Sequence, residues 1–191
     1  MLLVLRAKQS MIVSMDKSWY RKMFSPPQKP DHEIPAPSAD YADADVQFSI
    51  GLKFANGEGA TQDYAQAAEW YHMAADQSHS LAQFNLGMMY ANGQGVTRDA
   101  AQSAMWFGKA ARQGDAGAQF NLGENCHRAS VQGERENAPE SRIEAYKWYR
   151  LAAAQGYMDS ETAYKTLTLN MTREDVADGN QRVAKFKVEK P

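Results

Sequence analysis

The sequence predicts an all-α fold, an α/α superhelical solenoid of three helix-turn-helix repeats with terminal capping helices. Three observations lead there. First, the chain repeats itself: Phe48, Phe84 and Phe120 are spaced by 36 residues, as are Gly51, Gly87 and Gly123, and Trp70 and Trp106. The step from Trp106 to Trp148 is 42, so the third copy carries six extra residues, between Cys126 and Ser141. Second, each copy shows the period of two amphipathic helices rather than of strands. Third, each copy is punctuated by helix starts and stops at matching positions. A fixed period of this length is the mark of a stacked-repeat architecture.

The elements follow in order. Residues 1–24 contain Ile12, Met15, Trp19 and Met23 at helical spacing. That pattern fits a short amphipathic helix docking on the first repeat, on a partner or on a second copy, and it equally fits a frayed terminus. Met11 and Met15 are further candidate starts. Residues 25–43 form a linker, because Pro26, Pro27, Pro30, Pro35 and Pro37 lack the amide hydrogen a helix or sheet requires. Repeat one spans 44–80, repeat two 81–116, repeat three 117–156 and the C-terminal cap 157–187.

In helix A of repeat two, Ala82, Leu86, Met89 and Tyr90 line one face. Gly87 lies inside that helix, where glycine costs up to ~1 kcal/mol relative to alanine. Close approach of helix B is the physical reason to keep it there and at Gly51 and Gly123. In helix B, Ala104, Phe107 and Ala111 recur at i, i+3 and i+7, beside Trp106 and Ala110. Trp70, Trp106 and Trp148 are assigned to packing rather than to stacking on bases.

Asp63 with Gln66, Asp99 with Gln102, and Ser141 with Glu144 read as caps at the starts of the B helices. Gly114 and Gly156 end B helices two and three, with Ser78, a weaker stop, at the matching place in repeat one. Thr172 and Asp175 open a last helix carrying Val176, Val183 and Phe186. The A–B turn is Asn56-Gly57-Glu58-Gly59 in repeat one and Asn92-Gly93-Gln94-Gly95 in repeat two. In repeat three Ala129 and Val131 stand where Gly93 and Gly95 do, and a longer, mobile turn over 127–140 is expected.

Several chemistries are weighed and set aside. The Gly93-Gln94-Gly95 turn resembles a phosphate loop, but no strand precedes it and the Gly-Lys-Ser/Thr ending is missing. Cys126 beside His127 suggests a nucleophile and base, yet helix neighbours point about 100° apart. His32, His72, His79 and His127 lack metal-ligand spacing, so no metal and no cofactor are expected. The formal charge of −2 supplies no basic field for nucleic acid. No apolar run approaches the ~20 residues of a membrane span. One cysteine precludes an internal disulfide and suits a reducing, cytoplasmic setting.

The pattern of "AQFNLGMMYANGQGVTRD" followed by a Trp-Phe pair, Ala-Ala and Gln-Gly resembles the Sel-one-like repeat, a relative of the tetratricopeptide repeat, over residues 44–160. That resemblance implies a right-handed α-superhelix serving as a non-catalytic adaptor that binds a protein or peptide on a concave helix-A face. By analogy with related repeats, that face carries Asn85, Met88, Asn92, Asn121, Glu124, His127 and Arg128, with Ser49, Leu52 and Asn56 in repeat one. An alternative use for Asn85 and Asn121 is hydrogen bonding between repeats. A different class of function, an enzyme or subunit acting on cell-wall or β-lactam-like substrates, is associated with secreted, cysteine-rich members. This chain lacks their cysteine pairs.

Overall fold

A computed structural model describes residues 41–58, 61–132, 137–157 and 159–189. The suggested N-terminal helix and proline-rich linker lie almost wholly outside these residues, as does Gly59. Among the described residues there are eight α-helices and no strand. We label them α1 (Ala44–Asn56), α2 (Tyr64–Asp76), α3 (Ser80–Asn92), α4 (Ala100–Arg112), α5 (Ala116–Gln132), α6 (Ala138–Ala154), α7 (Ser160–Thr168) and α8 (Arg173–Lys185). Helices α1/α2, α3/α4 and α5/α6 are the A/B pairs, and each pair packs on the next, with α7 and α8 against α6.

Local chemistry sets the boundaries. Asp43, Asp63 and Asp99 each accept two backbone N–H bonds from the first turn of the helix they precede. Gly57 and Gly93 then stop α1 and α3 in the left-handed conformation, at φ of 73° and 72°. Ser78 adopts φ of 67° at the place Gly114 and Gly156 fill later, a conformation that costs a residue with a Cβ about 1–2 kcal/mol. A reciprocal capping box between Thr172 and Asp175 opens α8.

The inter-helix seams explain the glycines inside helices. A Cβ on Gly87 would lie 2.5 Å from the Phe107 ring, one on Gly51 2.7 Å from Tyr71, and one on Gly123 2.7 Å from Tyr149. The aromatic of each B helix therefore occupies the space a side chain would take. Gly95 has a second duty besides its left-handed φ: a Cβ there would fall on the Tyr64 carbonyl, so the turn of repeat two abuts the start of α2.

The core runs as three successive apolar clusters. The first joins Phe54, Trp70, Tyr71, Leu86 and Trp106, the second Phe107, Ala118 and Trp148, and the third Tyr146, Tyr149 and Leu167. The three tryptophans are buried. Each meets an aromatic edge from a preceding or flanking segment: Tyr41 on Trp70, His72 on Trp106 and Phe186 on Trp148.

Two expectations are corrected. Among the described residues, much of the turn expected over 127–140 is helical: α5 runs to Gln132 and α6 starts at Ala138, each having 17 residues where α1 to α4 have 13, while 133–136 lie outside the described residues. Ala129 and Val131 place a Cβ where Gly93 and Gly95 take a left-handed φ, so nothing stops α5 at that point. The cap at Ser141 and Glu144 is likewise absent. Helix α6 has already begun at Ala138 with Pro139 in its first turn, whose fixed φ suits a helix start. Glu144 instead holds Arg182 of α8 at 2.7 Å.

Candidate interaction surface

The face expected to bind a partner divides into anchored and free side chains. Asn121 donates to the Gly117 carbonyl of its own helix at 2.9 Å. Glu124 accepts from the Tyr149 hydroxyl at 2.5 Å. Burial, and then that carboxylate, push the Tyr149 phenol far above its ordinary value, so it remains a donor. Burial pushes the pKa of the Tyr71 phenol up, and the neighbouring Asn85 side chain works against that rise. Met88 and Leu52 are half-buried against the second and first apolar clusters. His127 is half-buried, and its carbonyl accepts from Ser130.

Asn92 and Arg128 are exposed, as are Ser49 and Asn56 in repeat one. Ser49 donates to the Asp45 carbonyl and Asn56 to Glu58, bonds within reach of water that a ligand can replace. Position 92 in repeat two matches position 128 in repeat three, one period later. Asn56 closes α1 and Asn92 closes α3, and Arg128 holds the matching position in α5, which runs one turn further to Gln132.

Hydrogen bonding between repeats falls to glutamines that sequence reasoning did not single out. Gln83 donates to the Ala75 carbonyl and Gln119 to the Ala111 carbonyl, each at 3.1 Å and each reaching back to the preceding B helix. Their own side-chain oxygens accept from Gln113 and Gln155, as Gln47 accepts from Gln77. All three acceptor glutamines are buried. The signal was present as a glutamine before each repeat's Phe and another near its end.

The chemistry around Cys126 is that of packing. The thiol is half-buried between the second and third clusters. Burial, with the nearby Glu144, pushes its pKa up to about 11. A thiol held there is protonated at neutral pH and is a poor nucleophile. Among the described residues, no cluster of three or more His, Cys, Asp or Glu side chains could hold a metal ion. No helix among them is long and apolar enough to cross a membrane.

Paired helices stacked by a repeated interface, with polar positions left open on one helix of each pair, define a helical-repeat solenoid. The repeat model described as "Sel1 repeat" matches residues 44–79, 80–115 and 116–157, more than half of the chain. The chain therefore belongs to the Sel1 repeat family, whose members generally act as protein–protein interaction scaffolds. Among solved structures it is similar to a Sel1 repeat protein from Oxalobacter formigenes, with 34% identity, a TM-score of 0.57, and coverage of 66% of this chain and 91% of that one. It is also similar to c5321, a protective antigen present in uropathogenic Escherichia coli strains and displaying an SLR fold. There the identity is 31%, the TM-score 0.61, and the match covers 77% of this chain but only 31% of that one. No curated protein matches the chain.

Proposed function

We propose that this protein is a non-catalytic adaptor that captures a partner polypeptide along its helix-A face, in the cytoplasm. The observation that carries the reading is the division of labour within helix A. Gly51, Gly87, Gln83 and Gln119 are consumed by stacking, whereas Ser49, Asn56, Asn92 and Arg128 stay exposed. Amide and hydroxyl groups in such a row can pair with the backbone of an extended segment, which gives affinity with modest sequence preference. The lone, protonated Cys126 suits a reducing compartment.

The test is a capture experiment with Asn56→Leu and Asn92→Leu combined, which removes both amides without adding charge. Both sites are solvent-facing, so the circular dichroism spectrum and melting temperature should match wild type. Partner recovery from the native organism should fall at least about tenfold, the effect of ~1.4 kcal/mol. Full recovery of the same partners by the double variant would overturn the helix-A face as the binding surface.

A further inference from the structure

The lengthened α5 does more than join two repeats. Its added turn stands opposite the α3–α4 turn and encloses a cleft of about 300 Å³. That volume is at the small end of ligand-binding clefts, ~300–1,000 Å³, room for a few side chains rather than a large cofactor. Arg98 enters from the turn of repeat two, and Arg128, Asn125 and Gln132 from α5; Ser103 and small alanines, among them Ala104, line the rest. No carboxylate is among the described lining residues. In a chain whose formal charge is −2, two guanidinium groups lining one small cleft without a counter-charge there are a local anomaly.

The arginines are placed for an incoming acid. Arg98 is fixed by its Nε, which donates to the Ala91 carbonyl at 3.1 Å. That bond orients the stem and leaves the terminal nitrogens for a ligand. Neither arginine takes part in any of the ion pairs among the described residues. Guanidinium groups recognise carboxylates through paired, charge-assisted hydrogen bonds, and amides such as those of Asn125 and Gln132 can supply further donors. Arg128 also belongs to the open row on the helix-A face, so the cleft is continuous with it.

We propose that the cleft receives the carboxylate side chains of an acidic segment in the partner polypeptide. This rests on the adaptor reading and specifies its partner. The insertion of repeat three builds the pocket, because a 13-residue α5 would end at Arg128 and leave out Ala129 and Gln132.

Fluorescence anisotropy of the full chain with a fluorescein-labelled peptide of alternating glutamate and alanine tests the idea. A glutamine–alanine peptide and a single-stranded DNA oligonucleotide serve as comparison ligands. The glutamate peptide should bind, and the other two should bind at least about tenfold more weakly. Arg98→Gln and Arg128→Gln should each weaken the glutamate peptide by roughly tenfold, with Arg98→Lys in between because the charge survives but the fork does not. Equal binding of the glutamine peptide, no binding of the glutamate peptide, or unchanged affinity in both arginine variants would overturn the proposal. Tighter binding of the oligonucleotide would do the same. Binding that appears only after Glu134→Gln and Glu136→Gln would assign the cleft to the chain itself. The charge-neutral Asn56→Leu/Asn92→Leu variant separates the two claims: it should keep the peptide while losing the partner. Loss of the peptide in the arginine variants with unchanged capture in the asparagine variant would retain the cleft and reject the wider face.

Discussion

Gly87 and Gly108 look alike in sequence, each a glycine inside a helix, but their surroundings give them opposite prospects. An added methyl at Gly87 would meet the Phe107 ring at 2.5 Å, and that ring is buried and hemmed in. At Gly108 the nearest group is the far end of Arg112, at 3.5 Å. Alanine favours a helix by up to ~1 kcal/mol over glycine, whereas forcing a methyl into a filled core costs ~1–3 kcal/mol. Gly87→Ala should therefore lower stability by about 1–2 kcal/mol, and Gly108→Ala should raise it by up to about 1 kcal/mol. Urea unfolding of the two variants, both shifted in the same direction, would reject this account of the seam.

At the scale of the element, each A helix is tied to its neighbours through one buried glutamine. Gln119 is 1% exposed and uses both ends of its amide, giving to the Ala111 carbonyl and accepting from Gln155. Gln119→Met keeps the volume but strands both partners, an expected loss of ~1–3 kcal/mol. Hydrogen exchange should then quicken first at the ends of α4 and α6, where those partners lie. Exchange that quickens only within α5 would contradict the coupling. The C-terminal cap is held differently: Arg182 of α8 sits between Glu140, Glu144 and Asp178, and these carboxylates raise its pKa further. Such a cluster lies at the surface and adds modestly to stability, while Gly179 lets α8 approach Tyr146.

For the whole molecule, stability is a sum of repeats and their interfaces, and one interface responds to pH. His72 of α2 lies between repeats one and two, 3.2 Å from the Tyr90 hydroxyl and edge-on to Trp106. Burial lowers its pKa below the ordinary 6.5, with Asp76 opposing and Lys109 assisting. The unfolded chain then binds the proton more readily than the folded one, so stability rises with pH in this range. The contribution of the neutral ring is complete above pH 6.5 and is lost as pH falls from there toward the folded value. Melting temperatures measured from about pH 7.5 down to about pH 5 should fall more steeply for wild type than for His72→Phe. Parallel curves would show that the ring is not the sensor.

By itself the sequence determined the all-α class, the repeat and its phase. These follow from interactions within a few residues: apolar spacing along a helix, an aspartate reaching the next turn, a glycine taking a positive φ. It also marked repeat three as different, through the loss of Gly93's and Gly95's counterparts. What the tertiary structure decided lies between residues far apart in the chain. It assigned Gly87 to Phe107 and Gly95 to Tyr64, buried Gln83 and Gln119, tied Glu124 to Tyr149, and left Asn92 and Arg128 exposed. It also carried α5 and α6 into both ends of an expected loop, and the added turn of α5 helps make a cleft from Arg98 and Arg128. A side chain's local pattern says which face of its own helix it occupies. Only packing says whether that face meets a ring, a carbonyl or water.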